Sequence, residues 1–90
     1  ALAHREDHEA DIANYADRPL DQLDPVEVAV LLVGLEELKH HPEVPFRVVI
    51  NEAVAVARRY GAEEGHKYVN AILDAAAARY RKPEKAIARR

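Results

Sequence analysis

His66, Lys67 and Tyr68 follow the acidic pair Glu63 and Glu64, and together they offer an imidazole, a cation and an aromatic ring. Such a set can contact a phosphate and stack on a base. Triplets of this kind are frequent, so the plain alternative is a solvated Lys67 beside a Tyr68 packed on the core. His4 and His8 stand four residues apart with Glu9 adjacent. They lack the HExxH order of a zinc helix, and the preferred reading is a solvent-facing pair with no metal. His40 and His41 precede Pro42, where a cationic imidazole complements a helix C-terminus. Asn51 and Asn70 fall inside helical patterns that asparagine disfavours, so side-chain hydrogen bonds tying neighbouring helices or loops are preferred over ligand contact. Glu52 invites a similar internal contact. No GxSxG, GxGxxG or Walker sequence occurs and there is no cysteine. The residues therefore point to a binding module that is not an enzyme and needs no cofactor.

Three helices position these groups. Asp24, Pro25 and Glu27 combine a capping carboxylate, a first-turn proline and an acid that favours the helix dipole. The helix they open runs to about Lys39. Val26, Val28 to Val33 and Leu35 leave it hardly any polar face, which predicts a central helix with Leu32 and Val33 in the core. Gly34 lowers helix propensity by about 1 kcal/mol relative to Ala, and its use is close approach of a neighbour. The short connection to Pro45 predicts an antiparallel partner, in which Phe46, Val49, Ile50, Ala53, Ala57 and Tyr60 form one buried face. Gly61 is placed for a positive φ at that helix's end. After Gly65, Val69, Ile72, Leu73, Ala76 and Tyr80 repeat the pattern, and Ala75 to Ala78 thin the helix for a neighbour. Lys82 and Pro83 stop it.

The flanks are less regular. Residues 1–20 read as a polar helix remnant and loop with apolar marks at Leu2, Ile12 and Tyr15; residues 21–82 as the bundle; residues 83–90 as a mobile basic tail. The fold class is all-α, a small antiparallel helical bundle. Net charge is −3, which argues against a generic nucleic-acid binder, but the charges are segregated. Residues 1–27 carry eight acidic and two basic side chains, whereas residues 79–90 carry six basic ones (Arg79, Arg81, Lys82, Lys85, Arg89, Arg90) and one Glu. The tail suits phosphate contact and a solvated helix end about equally. Without cysteine the chain is compatible with a cytoplasmic setting, and no apolar run or signal peptide suggests a membrane partner.

Val44 to Asp74, VPFRVVINEAVAVARRYGAEEGHKYVNAILD, closely resembles the C-terminal signature of the NusB family of bacterial transcription antitermination proteins, where an INEA segment and a HKFVN-like segment sit at about this separation. The likeness extends more loosely back to Leu23 and implies a C-terminal portion, without the family's Arg-rich N-terminal helix. It implies RNA contacts at Lys67 and Tyr68, with Glu64 tuning that surface. It also implies that Glu27 faces NusE, the small-subunit ribosomal protein that partners NusB. Function would then be RNA binding with NusE on boxA-type leader RNA, within the RNA polymerase antitermination complex that makes ribosomal RNA. The alternatives are the NusB-like RNA-binding domain of an RNA cytosine methyltransferase and a protein-interaction bundle with no RNA affinity of its own. An uncovered apolar face on the Pro25 to Leu35 helix would promote self-association.

Overall fold

The computed structural model describes residues 4–88, so Leu2 and the tail residues Arg89 and Arg90 lie outside the described residues. Among the described residues there are five α-helices and no strand: α1 (Arg5–Tyr15), α2 (Pro25–His40), α3 (Phe46–Tyr60), α4 (Gly65–Tyr80) and α5 (Lys82–Ala88). A 3-10 turn spans Leu20–Gln22. Asp24 caps α2 by accepting from the N–H groups of Val26 at 2.8 Å and Glu27 at 3.4 Å, with Pro25 in the first turn.

The core follows the helical stripes. Leu31, Leu35 and Leu38 of α2 are buried with Val49, Ala53 and Ala57 of α3 and with Val69, Leu73 and Ala76 of α4. Gly34 has the role expected of it, since a Cβ there would lie 2.9 Å from Leu73 Cδ1. Small residues do the same on α4, where Ala76 and Ala77 are fully buried. Because of them α4 packs against each of the other four helices, and the central place expected of α2 is shared. Two other expectations fail. Val33 is 52% exposed, because α1, α3 and α4 leave one side of α2 open, and Tyr60 is 64% exposed at the last turn of α3.

Polar contacts at the two ends fix the direction of the helices. At one end Arg81, only 6% exposed, donates to the carbonyls of Leu38 at 2.8 Å, Glu37 at 3.2 Å and His41 at 2.8 Å, so it closes the C-terminus of α2. It also meets Glu84 Oε1 at 2.6 Å, and Glu84 Oε2 accepts the otherwise free Phe46 N–H of α3 at 2.8 Å. At the other end the Glu27 carboxylate of α2 accepts the Ala62 N–H, between α3 and α4, at 3.1 Å. The three helices therefore run up, down and up.

The flanks differ from their sequence reading. α1 is docked, and its buried face is largely polar: His8, Asp11 and Ile12. His8 is fully buried rather than solvent-facing, with Nε2 2.9 Å from Glu36 Oε1. Hydrogen bonds from His8 and His4 hold the Glu36 carboxyl down at about 2. Asp11 Oδ2 takes Lys39 Nζ at 2.8 Å and the Tyr80 hydroxyl at 2.9 Å. The segment read as a mobile tail begins with helix α5. Pro83 ends α4 as expected but then occupies the first turn of α5, where a missing N–H has no consequence. Lys85 is buried against Asp74, 2.8 Å from its Oδ1 and 3.0 Å from its carbonyl.

Leu31→Asp buries a charge without a partner and should abolish cooperative unfolding, whereas Val33→Asp on the open side should shift stability by no more than about 0.5 kcal/mol in urea titrations followed by circular dichroism. A second expectation concerns acid. The Phe46 N–H, and then Arg81, hold the Glu84 carboxyl below its ordinary value of 4.5. A depressed carboxyl contributes stability that is present above 4.5 and is lost as pH falls through the folded value. Glu84→Gln should thus flatten the fall in unfolding free energy below pH 4.5, and an unchanged acid limb would remove Glu84 from the clamp.

Candidate nucleic-acid interface

The turn from Gly61 to Gly65 and the first turn of α4 carry the residues singled out for RNA. Gly61 has φ −86, so the positive φ expected there is absent; Glu64 instead adopts φ 68, ψ −4. A left-handed non-glycine residue costs about 1–2 kcal/mol, and this one persists because its surroundings fix it. Gly65 is what fixes them. A Cβ on Gly65 would lie 1.8 Å from Glu27 Oε2, so glycine serves here for close approach and not for its dihedral freedom.

Glu27 is 5% exposed and its carboxylate is turned into this turn. In this position it supports the turn from beneath. Glu64 and Lys67 are brought together at the surface, Lys67 Nζ lying 2.6 Å from Glu64 Oε2. Lys67 remains 72% exposed, and an exposed pair of this kind contributes about 0–1 kcal/mol, so an anion could displace the carboxylate. Tyr68 is different. Its ring packs against the core and lies under the Arg18 guanidinium, 5.1 Å from the ring centroid. Burial, and then the Asp17 charge, push its phenol up, and its buried hydroxyl has no hydrogen-bond partner among the described residues. The packed reading of Tyr68 describes its place, and base stacking would require Arg18 to move.

Asn51 and Asn70 are both exposed. Neither makes a side-chain hydrogen bond between helices among the described residues; that work falls to Glu27, Asp11, Arg81 and Lys85. Glu52 is exposed as well. Asn70 instead joins Arg58, His66, Lys67 and Val54 around an open hollow of about 380 Å³ between α3 and α4. Arg58 was the residue missed. Its position off the apolar stripe of α3 was visible, but only the packing of α3 on α4 shows that it lines the same hollow as Lys67. A guanidinium, an ammonium, an imidazole and an amide on one open surface form a donor set for phosphate or for base edges. The basic end of the chain contributes less than its composition suggests, because Arg81 and Lys85 are turned inward.

The family model described as the NusB family matches residues 1–78. The transcription antitermination protein NusB of Nitrosomonas eutropha is 52% identical over 83 residues, covering 92% of this chain and 50% of that relative. The protein of the same name from Paraburkholderia phymatum is 56% identical over 75 residues, 83% of this chain and 52% of the relative. That from Nitrosococcus oceani is 53% identical over 70 residues, 78% and 47%. The chain thus spans about half the length of the curated relatives it matches.

Glu27→Ala leaves the Ala62 N–H without its acceptor and should cost about 1–3 kcal/mol, and Gly65→Ala, which drives a methyl group into the same carboxylate, should be at least as damaging. Urea unfolding measures both. Parent-like stability in Glu27→Ala would mean that the carboxylate is dispensable to the turn.

Proposed function

The chain belongs to the NusB family, and from that membership we propose that it acts in transcription antitermination as an RNA-binding module. In this reading it works with NusE on boxA-type leader RNA, in the cytoplasmic antitermination complex around RNA polymerase. The observation that carries the RNA half is the gathering of Arg58, His66, Lys67 and Asn70 on one open surface. Lys67 is the principal phosphate contact, Glu64 competes with RNA for it, and Tyr68 acts by holding the start of α4 and Arg18 in place. Glu27 enters through the shape of the turn.

A protein-interaction role has an observation of its own. Between α2 and α3 lies an open hollow of about 220 Å³ lined chiefly by Ala29, Val30, Val33, Val49, Ala53 and Val56. Val33 and Val56 are exposed there, as a surface that meets another protein, or a second copy of this chain, would have them. This is the uncovered apolar side of α2 at which self-association was anticipated.

Fluorescence anisotropy with a boxA-type oligonucleotide, with and without NusE, separates the two roles. Lys67→Glu and Arg58→Glu should each weaken RNA binding about tenfold, the equivalent of roughly 1.4 kcal/mol, and lower the salt dependence by about one phosphate contact, with helical circular dichroism unchanged. RNA affinity that is absent, or indifferent to both changes, while NusE still binds would discard the RNA reading in favour of protein interaction.

A further inference from the structure

We propose that His4, His8, Glu36 and His40 form a site for one divalent transition-metal ion between α1 and α2, with Zn2+ the best match. His4 and His8 are one helical turn apart at the start of α1, and Glu36 and His40 are one turn apart at the end of α2. Residues spaced by four share a helix face, so the packing of α1 on α2 sets one pair against the other. One ligand atom from each of the four lies within 4.8 Å of all the others. The inner part is already tight: Glu36 Oε1 is 2.9 Å from His8 Nε2 and 3.1 Å from His4 Nδ1. The His4 and His40 rings stack with centroids 3.8 Å apart.

Tetrahedral zinc with bonds of about 2.0–2.1 Å sets its ligand atoms roughly 3.3 Å apart. The Glu36 contacts need to open by a few tenths of an ångström, and the widest pair must close. Both motions are available, since His40 is exposed and His4 is partly so, while His8 is fully buried and supplies the fixed side. Three imidazoles and a carboxylate suit Zn2+ better than Mg2+ or Ca2+, which take mainly oxygen ligands. Four protein ligands also make a closed site, which is structural and not catalytic. The ion would pin α1, whose buried face is otherwise mostly polar, to α2. The site is at the opposite end of α2 from Glu27 and does not rest on the RNA reading.

The test uses the whole chain without an affinity tag, stripped by chelator and titrated with Zn2+ by calorimetry and with Co2+ by visible absorption. One ion per chain is expected, with the strong visible bands of tetrahedral Co2+ and a melting temperature that rises with Zn2+ concentration. His4→Gln and His40→Gln, at positions that are not fully buried, should each weaken binding at least about tenfold. Their double variant should keep its helical circular dichroism and lose the thermal response. His41→Gln is the control, because His41 Nε2 is 3.8 Å from Glu36 Oε2 but lies outside the four-residue set; its binding should match the parent. No saturable binding, or binding undiminished in the folded double variant, would overturn the proposal.

Discussion

The Glu27 carboxylate beneath the α3–α4 turn is the contact on which this structure most depends. A charged side chain 5% exposed is costly unless its oxygens are occupied, and here one accepts the Ala62 N–H while Gly65 leaves it room. With Gly65 pressed against that oxygen, the chain enters α4 through a left-handed Glu64. The first turn of α4 then presents Lys67 outward and Tyr68 toward the core. Side chain, turn and surface form one chain of cause. The candidate interface is as much a product of α2 as of the helices that carry it.

Arg81 plays the matching part at the other end, where one guanidinium serves two carbonyls of α2 and that of its C-cap His41 and, through Glu84, the first N–H of α3. Buried charged groups of this kind contribute little net stability compared with an apolar core of the same volume, because desolvation offsets their attraction. Removing one partner is nevertheless severe. Their consequence is directional: apolar stripes alone would tolerate sliding of one helix along another, whereas carbonyls and N–H groups at defined ends accept one register.

The middle of the chain was legible and its edges were not, for one physical reason. Periodicity reports apolar burial, and α2, α3 and α4 bury Leu31, Val49, Leu73 and their neighbours in that way. The use of Gly34 could be inferred because a glycine within a strong helical pattern demands a close neighbour. α1 has no such signal, since His8 and Asp11 are buried against Glu36, Lys39 and Tyr80, far away in sequence. α5 was hidden in the same way: Lys85 looked like a free cation until Asp74 was seen beside it. Val33 failed in the opposite sense, because hydropathy cannot say which side of an apolar helix goes uncovered. For the candidate site, Lys67 and Glu64 were readable as neighbours by their spacing. Arg58 and Asn70 were not, since their meeting depends on how α3 lies on α4.

The same distinction changes what the charge distribution means for an anionic partner. Composition suggested an acidic first third and a basic end suited about equally to phosphate contact and to a solvated helix end. In the fold, Asp11 and Glu27 are buried, Asp24 caps α2, and Glu36 is held by imidazoles, so part of the negative charge is engaged within the protein. Arg81 and Lys85 are likewise committed to carbonyls and carboxylates. Around the hollow the charged side chains are Arg58 and Lys67, with His66 beside them and Glu64 paired to Lys67. An exposed ion pair is weak and an approaching phosphate offers the same ammonium a fuller charge, so the Glu64 to Lys67 contact is one that a phosphate can replace. Because Glu64 is held by the turn and the turn by Glu27, losing the buried carboxylate would disturb the placement of Lys67 indirectly. Arg58 and Lys67 are exposed and outside the core, and that separation lets the proposed recognition be measured apart from the fold that presents it.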